Sequence, residues 1–270
     1  SRNIQIDERR QFRILSEAAA SREHPMHKFA TVSLGTLGAI PVTKLREELV
    51  SFHARNYVPK SMTLAVVGKQ SLDELEKLVR TSFASVPNRA PPAVTTAMAV
   101  ETGKPPASPF AGNSPVFISC VPVKEEKKLR IIWQTKEVMS MYKKKPGNFA
   151  SNCLGHESEG SVLCALKARG WATALMAGMY RSWRIGGLFE CTIELTDEGF
   201  CHRQDIALLV HQYLAILRAA SEKDRERVVR EMADQWAVDF ESQPKAKSLA
   251  HACRVADSMQ RFAIEDIFSG

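Results

Sequence analysis

The sequence predicts an α+β fold made of α/β layers, on three features of its apolar pattern. Residues 43–79 give the order helix, strand, helix. Residues 188–196 alternate between apolar and polar side chains, and long helical patterns follow them. Residues 87–115 hold seven of the 13 prolines and separate these two parts. Because a helix or a strand buries one side, each part is expected to be a sheet packed against helices.

The first part contains two amphipathic helices. Residues 4–21 carry apolar side chains among charged ones. Residues 43–57 repeat apolar side chains near one face, start with Thr43 as the predicted cap, and stop before Pro59.

A strand and a third helix complete this part. Residues 62–67 form an apolar run that ends at Gly68, which predicts a strand covered on both sides. Ser71 and Glu74 have the spacing of a capping box at the start of the next helix.

The proline-rich stretch predicts the domain boundary. Its few charges and weak periodicity indicate a semi-rigid linker. We therefore expect a partial first domain at residues 1–86, a linker at 87–115 and a second domain at 116–270.

The second part mixes strands with helices. Residues 116–121 and 129–133 are predicted strands, and residues 188–196 form a half-buried strand. Gly160 separates two short helices, and Gly170 is the predicted end of the second. The helical patterns cover residues 147–157, 161–169, 206–217, 228–240 and 249–259.

The chain carries a net charge of +7, with lysine clusters at residues 124–130 and 143–145. Such clusters occur on nucleic-acid-binding surfaces and equally on solvated rims. Because no aromatic residues interleave with these lysines, we expect a rim and no nucleic-acid partner. No apolar run reaches the roughly 18 residues that a membrane span needs, so no membrane partner is expected.

The six cysteines contain no Cys-x-x-Cys pair. Most have apolar neighbours, which predicts buried free thiols in a reducing compartment. The expected location is the cytoplasm, or an organellar lumen reached through an upstream signal that these residues do not contain.

No recognisable catalytic group is present. A zinc hydrolase needs two histidines and usually a carboxylate on one ion, and no pair among the seven histidines has a convincing spacing. Gly160-Ser161 lacks the G-x-S-x-G elbow, and no G-x-x-x-x-G-K-[ST] phosphate loop occurs. We expect no catalytic residue and no metal ligand in this chain.

Four segments, in order, carry a resemblance to a known family. They are His24 to Leu37, Leu45 to Tyr57, Met62 to Leu75, and Lys145 to Gly178, the last with the turn Gly155-His156-Glu157-x-x-Gly160-Ser161. Together they resemble the pitrilysin/insulinase family of zinc metallopeptidases, most closely its insulinase branch. The family's inverted zinc motif, His-x-x-Glu-His, is absent from these residues.

The resemblance implies an interior fragment of a peptidase. It would span the end of the catalytic-type domain and much of the second, non-catalytic domain, with zinc, its ligands and the general base supplied upstream. The implied partners are peptide substrates and the remainder of the parent peptidase. An exposed sheet edge would also permit pairing with another copy.

One binding site is implied by the resemblance: an exosite that holds the amino-terminal end of a peptide away from the zinc. The matching positions are Asn148, Asn152, Gly155, Glu157, Leu175, Met176, Ala177, Gly178 and Met179, with Thr31 as a weaker match at the cleft wall. A strand edge offers backbone groups to an extended peptide, and Glu157 offers a partner to its amino group.

This chain departs from the family at several of these positions. Asn148 and Asn152 replace histidines, Ala177 replaces a glycine, Ser158-Glu159 replaces Gly-Pro, and Val32-Ser33 replaces Gly-Asn. The alternative interpretation is that Gly155 and Gly178 only permit close packing.

Three functions follow from these observations. The first is a piece of a zinc metalloendopeptidase that degrades peptides in an enclosed chamber, supplying wall and anchor but no catalysis. The second is a non-catalytic scaffold or core-subunit member of the same family. The third is a polyanion-binding module that uses the lysine clusters.

Overall fold

A computed structural model describes residues 11, 13–16, 24–27, 34–88, 110, 115–122, 126–183 and 186–268. The chain forms two compact units that are discontinuous in sequence. Unit 1 comprises Ser1–Ala30 and Pro106–Gln243, and unit 2 comprises Thr31–Pro105 and Pro244–Gly270. The division into 1–86, 87–115 and 116–270 does not coincide with these units, and it stays a prediction about domain organisation.

Unit 1 is built on a three-stranded antiparallel sheet with the order β1-β3-β2. Cys191 at its centre pairs with Ile131 of the first strand and Ala177 of the second. The strands are β1 (Lys128–Thr135), β2 (Ala172–Trp183) and β3 (Gly186–Leu195). The alternation predicted for residues 188–196 is confirmed, since Cys191 and Ile193 are buried while Glu190 and Thr192 are half-buried.

The described helices of unit 1 follow the predicted pattern closely. They are α4 (Pro146–Gly155), α5 (Val162–Ala168), α6 (Asp197–Cys201), α7 (Arg203–Ala219) and α8 (Glu222–Glu241). The numbering continues from α1 (Leu34–Leu37), α2 (Val42–Asn56) and α3 (Leu72–Phe83) of unit 2, which also contains α9 (Ser248–Arg261). Short 3-10 turns lie at Pro25–His27, Pro59–Ser61, Met139–Met141 and Ile264–Asp266.

Two glycines with a left-handed backbone flank α5, between the two predicted short helices and at the predicted end of the second. Gly160 has φ +81° before α5, and Gly170 has φ +69° after it. This left-handed backbone is accessible to glycine at little cost, and at Gly170 it closes the end of α5. Helix α2 begins at Val42, so its cap position is Pro41 and not the predicted Thr43. No side chain caps its first amides.

Helices α4, α5 and α7 cover one face of the sheet. The shared core consists of buried apolar side chains from these helices and from β2 and β3: Leu154, Val162, Leu163, Leu166, Ala172, Leu175, Phe189, Cys191, Ile193, Ile206 and Val210. Tyr213 of α7 donates a hydrogen bond to the Cys153 carbonyl of α4 at 3.1 Å. These contacts hold α4 and β2 in place, and the candidate site lies on those two elements.

The opposite face of the sheet carries an ion pair. Arg130 of β1 donates through Nε to Glu190 of β3 at 2.9 Å, and a second guanidinium nitrogen contacts the same carboxylate. Arg130 also donates to Gln11 at 2.6 Å and lies 5.0 Å from the ring centre of Tyr180. Such a bidentate pair fixes the orientation of both side chains.

The first lysine cluster is largely paired with carboxylates. Lys127 contacts Asp197, and Lys128 lies 2.7 Å from Glu126. Lys124 lies outside the described residues. Basic groups that already contact carboxylates offer less charge to a polyanion, which favours the rim interpretation of this cluster.

Two predicted strands do not form strands. Residues 116–121 and residues 62–67 are not part of a strand and pair with no strand among the described residues. In the second segment, Thr63 donates to the Ala256 carbonyl of α9 at 2.8 Å. Met62, Leu64, Val66 and Val67 are exposed, so the expectation of a strand covered on both sides is wrong. An apolar run of this length predicts an extended backbone, but a strand forms only where a second strand lies beside it.

The capping box of α3 is confirmed. The Glu74 amide donates to Ser71 Oγ at 3.3 Å, and the Ser71 amide donates to the Glu74 carboxylate at 2.9 Å. The hydrogen bond from the Ser71 amide, and then the one that Ser71 Oγ donates to the same carboxylate at 3.0 Å, lower the pKa of Glu74. The helical prediction for residues 4–21 is described only at residues 11 and 13–16, which are helical.

The six cysteines are free thiols in three environments. Cys153 and Cys191 are buried, and burial raises the pKa of Cys191 to about 12. Cys120 and Cys164 are half-buried, and Cys201 and Cys253 are exposed, so the expectation that most thiols are buried is wrong. In the described part of the chain, no helix is long and apolar enough to cross a membrane.

A close backbone contact joins the start of β2 to helix α6. The Thr196 amide donates to the Trp171 carbonyl at 3.1 Å, and Thr196 Oγ1 donates to the Gly170 carbonyl at 2.7 Å. A Cβ on Gly199 would lie 1.8 Å from the Trp171 oxygen, a backbone atom held by these bonds. Glycine is therefore required at position 199.

We predict that Gly199→Ala lowers the free energy of unfolding by about 2–4 kcal/mol, because the methyl group displaces fixed backbone. Urea denaturation followed by circular dichroism measures the loss. The matched control is Gly178→Ala, whose methyl would meet Ser151 Oγ at an ordinary 3.5 Å. Equal effects of the two substitutions would contradict the prediction.

His202 at the same junction is held by two carboxylates. Its ring stacks on the ring of Trp171 with centres 4.4 Å apart. The guanidinium group of Arg169 lies 5.7 Å from the centre of the Trp171 ring. Nδ1 lies 2.9 Å from Asp205 and Nε2 lies 3.1 Å from Glu198. The hydrogen bond to Asp205, and then that to Glu198, raise the pKa of His202.

A raised pKa in the folded state stabilises the fold when the ring is protonated. This contribution is fully present below the unfolded pKa of about 6.5 and is lost as the pH rises through the folded value. We predict that His202→Gln flattens the decline of the urea midpoint as the pH rises above about 6.5. His251→Gln, whose ring contacts Arg254, serves as the control; an unchanged slope in His202→Gln would refute the assignment.

Candidate functional site

Helix α4 begins at a sharp turn that places its first amide side chain. Lys145 adopts a left-handed backbone with φ 45°, and Pro146 occupies the first helical position. The Lys145 carbonyl accepts the Asn148 amide at 3.0 Å and the Phe149 amide at 3.2 Å. The fixed φ of proline suits this position. The backbone N–H group that proline lacks would have no partner within the helix.

Small residues bring α4 against β2. A Cβ on Gly147 would lie 2.7 Å from Met179 Cγ, and one on Gly155 would lie 3.8 Å from the Ala177 amide nitrogen. Between them, Ser151 Oγ donates to the Gly147 carbonyl at 2.8 Å. The spacing of four residues puts these three small side chains on one face of the helix. Gly147 thus has a packing role, whereas a Cβ at position 155 would make only an ordinary contact.

A groove of about 500 Å³ opens beside this contact. We call it the α4–α8 groove. Its lining comes from one face of α4, the end of β2 and two side chains of α8: Gly147, Asn148, Ser151, Asn152, Met179, Met232 and Trp236.

Two exposed amides line the groove at successive turns of α4. Within the described residues, the side chains of Asn148 and Asn152 make no hydrogen bond. Residues four apart on a helix have Cβ atoms about 5–6 Å apart. Alternate residues of an extended peptide repeat at about 6.6 Å, so the two amides match the spacing of backbone groups along one edge of a peptide.

The opposite wall of the groove is apolar. Met232 is buried and Trp236 is 37% exposed. Lys145 Nζ lies 5.5 Å from the ring centre of Trp236, which links the start of α4 to α8 through a cation–π contact. The groove is therefore polar on its α4 side and apolar on its α8 side.

The predicted site residues fall into separate environments. Asn148, Asn152 and Met179 line the groove, whereas Gly155, Ala177 and Gly178 lie at the contact between α4 and β2. Leu175 is buried in the core, and Met176 is 62% exposed. Glu157 follows α4 and lies 3.8 Å from Lys167. Thr31 lies outside the described residues, and a peptide-binding role for the set stays a prediction.

Sequence reasoning missed four lining residues: Gly147, Ser151, Met232 and Trp236. The repeat of small residues at 147, 151 and 155 was a readable signal for close packing. Met232 and Trp236 lay within a predicted apolar helical stripe, but no local pattern shows that this stripe meets α4.

The described side chains do not fit a zinc centre. No group of three or more His, Cys, Asp or Glu side chains among them could hold a metal ion. His202 has carboxylates on opposite ring nitrogens, so the three groups cannot converge on one ion. His211 bonds the Ala207 carbonyl through Nδ1, and His156 bonds Ser158, so these rings serve local structure.

Comparison with known proteins identifies the fold and the family. Residues 44–232 match the model of the peptidase M16 inactive domain, which is more than half of the chain. The chain is 32% identical over 252 residues to insulin-degrading enzyme of Drosophila melanogaster, covering 92% of this chain and 24% of that protein. It is 30% identical over 272 residues to insulin-degrading enzyme of Homo sapiens, covering 99% and 26%.

A solved structure agrees with these matches. The crystal structure of pitrilysin superposes with a TM-score of 0.78 at 20% identity, covering 99% of this chain and 27% of that one. This likeness confirms the predicted α+β fold. The chain spans about a quarter of the length of the curated relatives it matches. The predicted resemblance to the pitrilysin/insulinase family is confirmed: the chain belongs to the M16 peptidase family through its inactive-type domain.

Proposed function

We propose that this chain holds the amino-terminal end of a peptide for a parent M16 peptidase and performs no catalysis itself. It supplies part of the wall of an enclosed chamber, while zinc, its ligands and the general base come from residues outside this chain. The observation that carries the proposal is the pair of amides, Asn148 and Asn152, without hydrogen-bond partners in the described part of the chain, beside strand β2.

The geometry supports binding by strand addition. In the sheet formed by the described residues, β2 is an edge strand. An extended peptide added to such an edge gains main-chain hydrogen bonds on one side. The two amides of α4 then offer a donor and an acceptor each to the peptide groups that point away from β2.

Glu157 is suited to receive the peptide's amino group. Its only described ion-pair contact, Lys167, is 3.8 Å away, and both side chains are largely exposed. An exposed pair of this kind contributes about 0–1 kcal/mol. An ammonium group can therefore replace Lys167 at small cost, and anchoring one end of a peptide reduces the entropy cost of positioning the rest.

The zinc of the parent protein would activate water at a site this chain does not build. The described residues contribute orientation of the peptide and exclusion of water along the wall. Their chemistry is hydrogen bonding by neutral amides and burial of apolar side chains.

A scaffold role is the second candidate. Gly147, Gly155 and Gly178 lie at the contact between α4 and β2, and this packing would be retained in a protein that binds no peptide. The two candidate functions predict different affinities of the chain for a peptide.

We predict that the full chain binds a fluorescent decapeptide with a free amino terminus, and that the double variant Asn148→Ala/Asn152→Ala binds about thirtyfold more weakly. Each lost amide removes hydrogen bonds worth about 1 kcal/mol. Fluorescence anisotropy gives the affinities. Gln235→Ala, an α8 amide that bonds Asp239 instead of lining the groove, is the control.

Glu157→Gln tests the anchor separately. It should reduce the preference for a free over an acetylated amino terminus, because the carboxylate charge is removed without changing the shape of the side chain. Binding that is equally strong in the double variant and the parent chain would exclude the proposed groove and favour the scaffold role.

We further predict that the isolated chain does not hydrolyse a fluorogenic peptide when zinc is added. The described side chains provide no set of converging metal ligands, and hydrolysis needs an activated water. Turnover that a chelator abolishes would overturn this assignment. A zinc-dependent family member with its own ligands provides the positive control.

A further inference from the structure

The geometry points to a specificity pocket inside the α4–α8 groove, formed by Met179, Met232 and Trp236. We infer that it takes one apolar side chain of the bound peptide and disfavours a basic one. This inference rests on the proposed function, and it adds the substrate preference that the groove would impose.

The pocket has one apolar wall, against which an apolar side chain of the peptide can pack. Met232 and Trp236 stand one turn apart on α8, so both side chains lie on the same face of the helix. Met179 reaches the groove from β2. Methionine adapts its shape and an indole offers a broad flat surface, which suits aliphatic and aromatic side chains of different sizes.

Charge excludes a basic side chain from this pocket. No lining side chain among the described residues is ionisable, so none can pair with a buried ammonium or guanidinium group. Lys145 Nζ lies over the Trp236 ring at 5.5 Å. A second cation at the same ring would meet repulsion and would lose hydration without compensation.

Helix α4 sets the distance between the anchor and the pocket. Asn148 and Gly155 are seven residues apart, which is about 10 Å along the helix. An extended peptide advances about 3.3 Å per residue. If the amino group lies near Glu157, just beyond Gly155, the side chain in the pocket lies about three residues further along the peptide.

The test uses the full chain and decapeptides that share a free amino terminus and differ only at the third or fourth position. We expect leucine at one of these positions to bind about tenfold more tightly than alanine, and lysine more weakly than alanine, as for an aromatic anchor pocket. The same exchange near the carboxyl end should have little effect.

Trp236→Ala should abolish the preference for leucine over alanine, and Trp236→Phe should retain most of it. Trp236 is partly exposed, so its truncation is expected to leave the fold intact, and circular dichroism checks this. Phe240→Ala, an exposed aromatic residue of α8 that does not line the groove, is the matched control. Lys145→Asn, which tolerates the left-handed backbone, should weaken the discrimination against lysine.

The outcomes separate the two proposals. Absence of binding by every peptide overturns the proposed function and this inference together. Binding that the asparagine double variant weakens, with a leucine preference unchanged in Trp236→Ala, overturns this inference alone. A leucine preference that Trp236→Ala removes and Phe240→Ala preserves supports it.

Discussion

The close approach of helix α4 to strand β2 is the constraint on which the candidate site depends. Gly147, Ser151 and Gly155 face Met179, Gly178 and Ala177 with no larger side chain between them. A Cβ at position 147 would lie 2.7 Å from Met179 Cγ, so a larger residue there would force the helix or Met179 to shift. In the proposed binding mode, such a shift would change the distance between the two asparagines and a peptide on β2.

The ion pairs named above for unit 1 lie outside the contact between α4 and β2. Arg130 and Glu190 pair on the other face of the sheet, and Glu157 and Lys167 pair beyond the end of α4. Lys145 contacts Trp236 at the start of α4. The space between is lined by neutral amides and apolar side chains, so the proposed site would recognise the backbone and shape of a peptide more than its charge.

Unit 2 shows the limit of amphipathic patterns. Leu49, Phe52 and Tyr57 belong to the predicted apolar face of α2, yet all three are more than half exposed. The same holds for Leu72 and Leu78 of α3. The pattern predicts which face of a helix is apolar, because that depends only on spacing. It does not predict which surface covers that face, because the cover comes from residues distant in sequence.

The sequence by itself determined the class of the fold, the strand at β3, most helix bounds, the capping box of α3 and the family. These depend on spacing, on turn residues such as Gly170 and on short motifs, all of which act locally. It did not determine that residues 62–67 remain unpaired, that Cys201 and Cys253 are exposed, or that Trp236 of α8 faces Asn148 of α4. Those depend on contacts between distant elements, and only the tertiary structure decides them, because a groove exists only where separate parts of the chain are brought together.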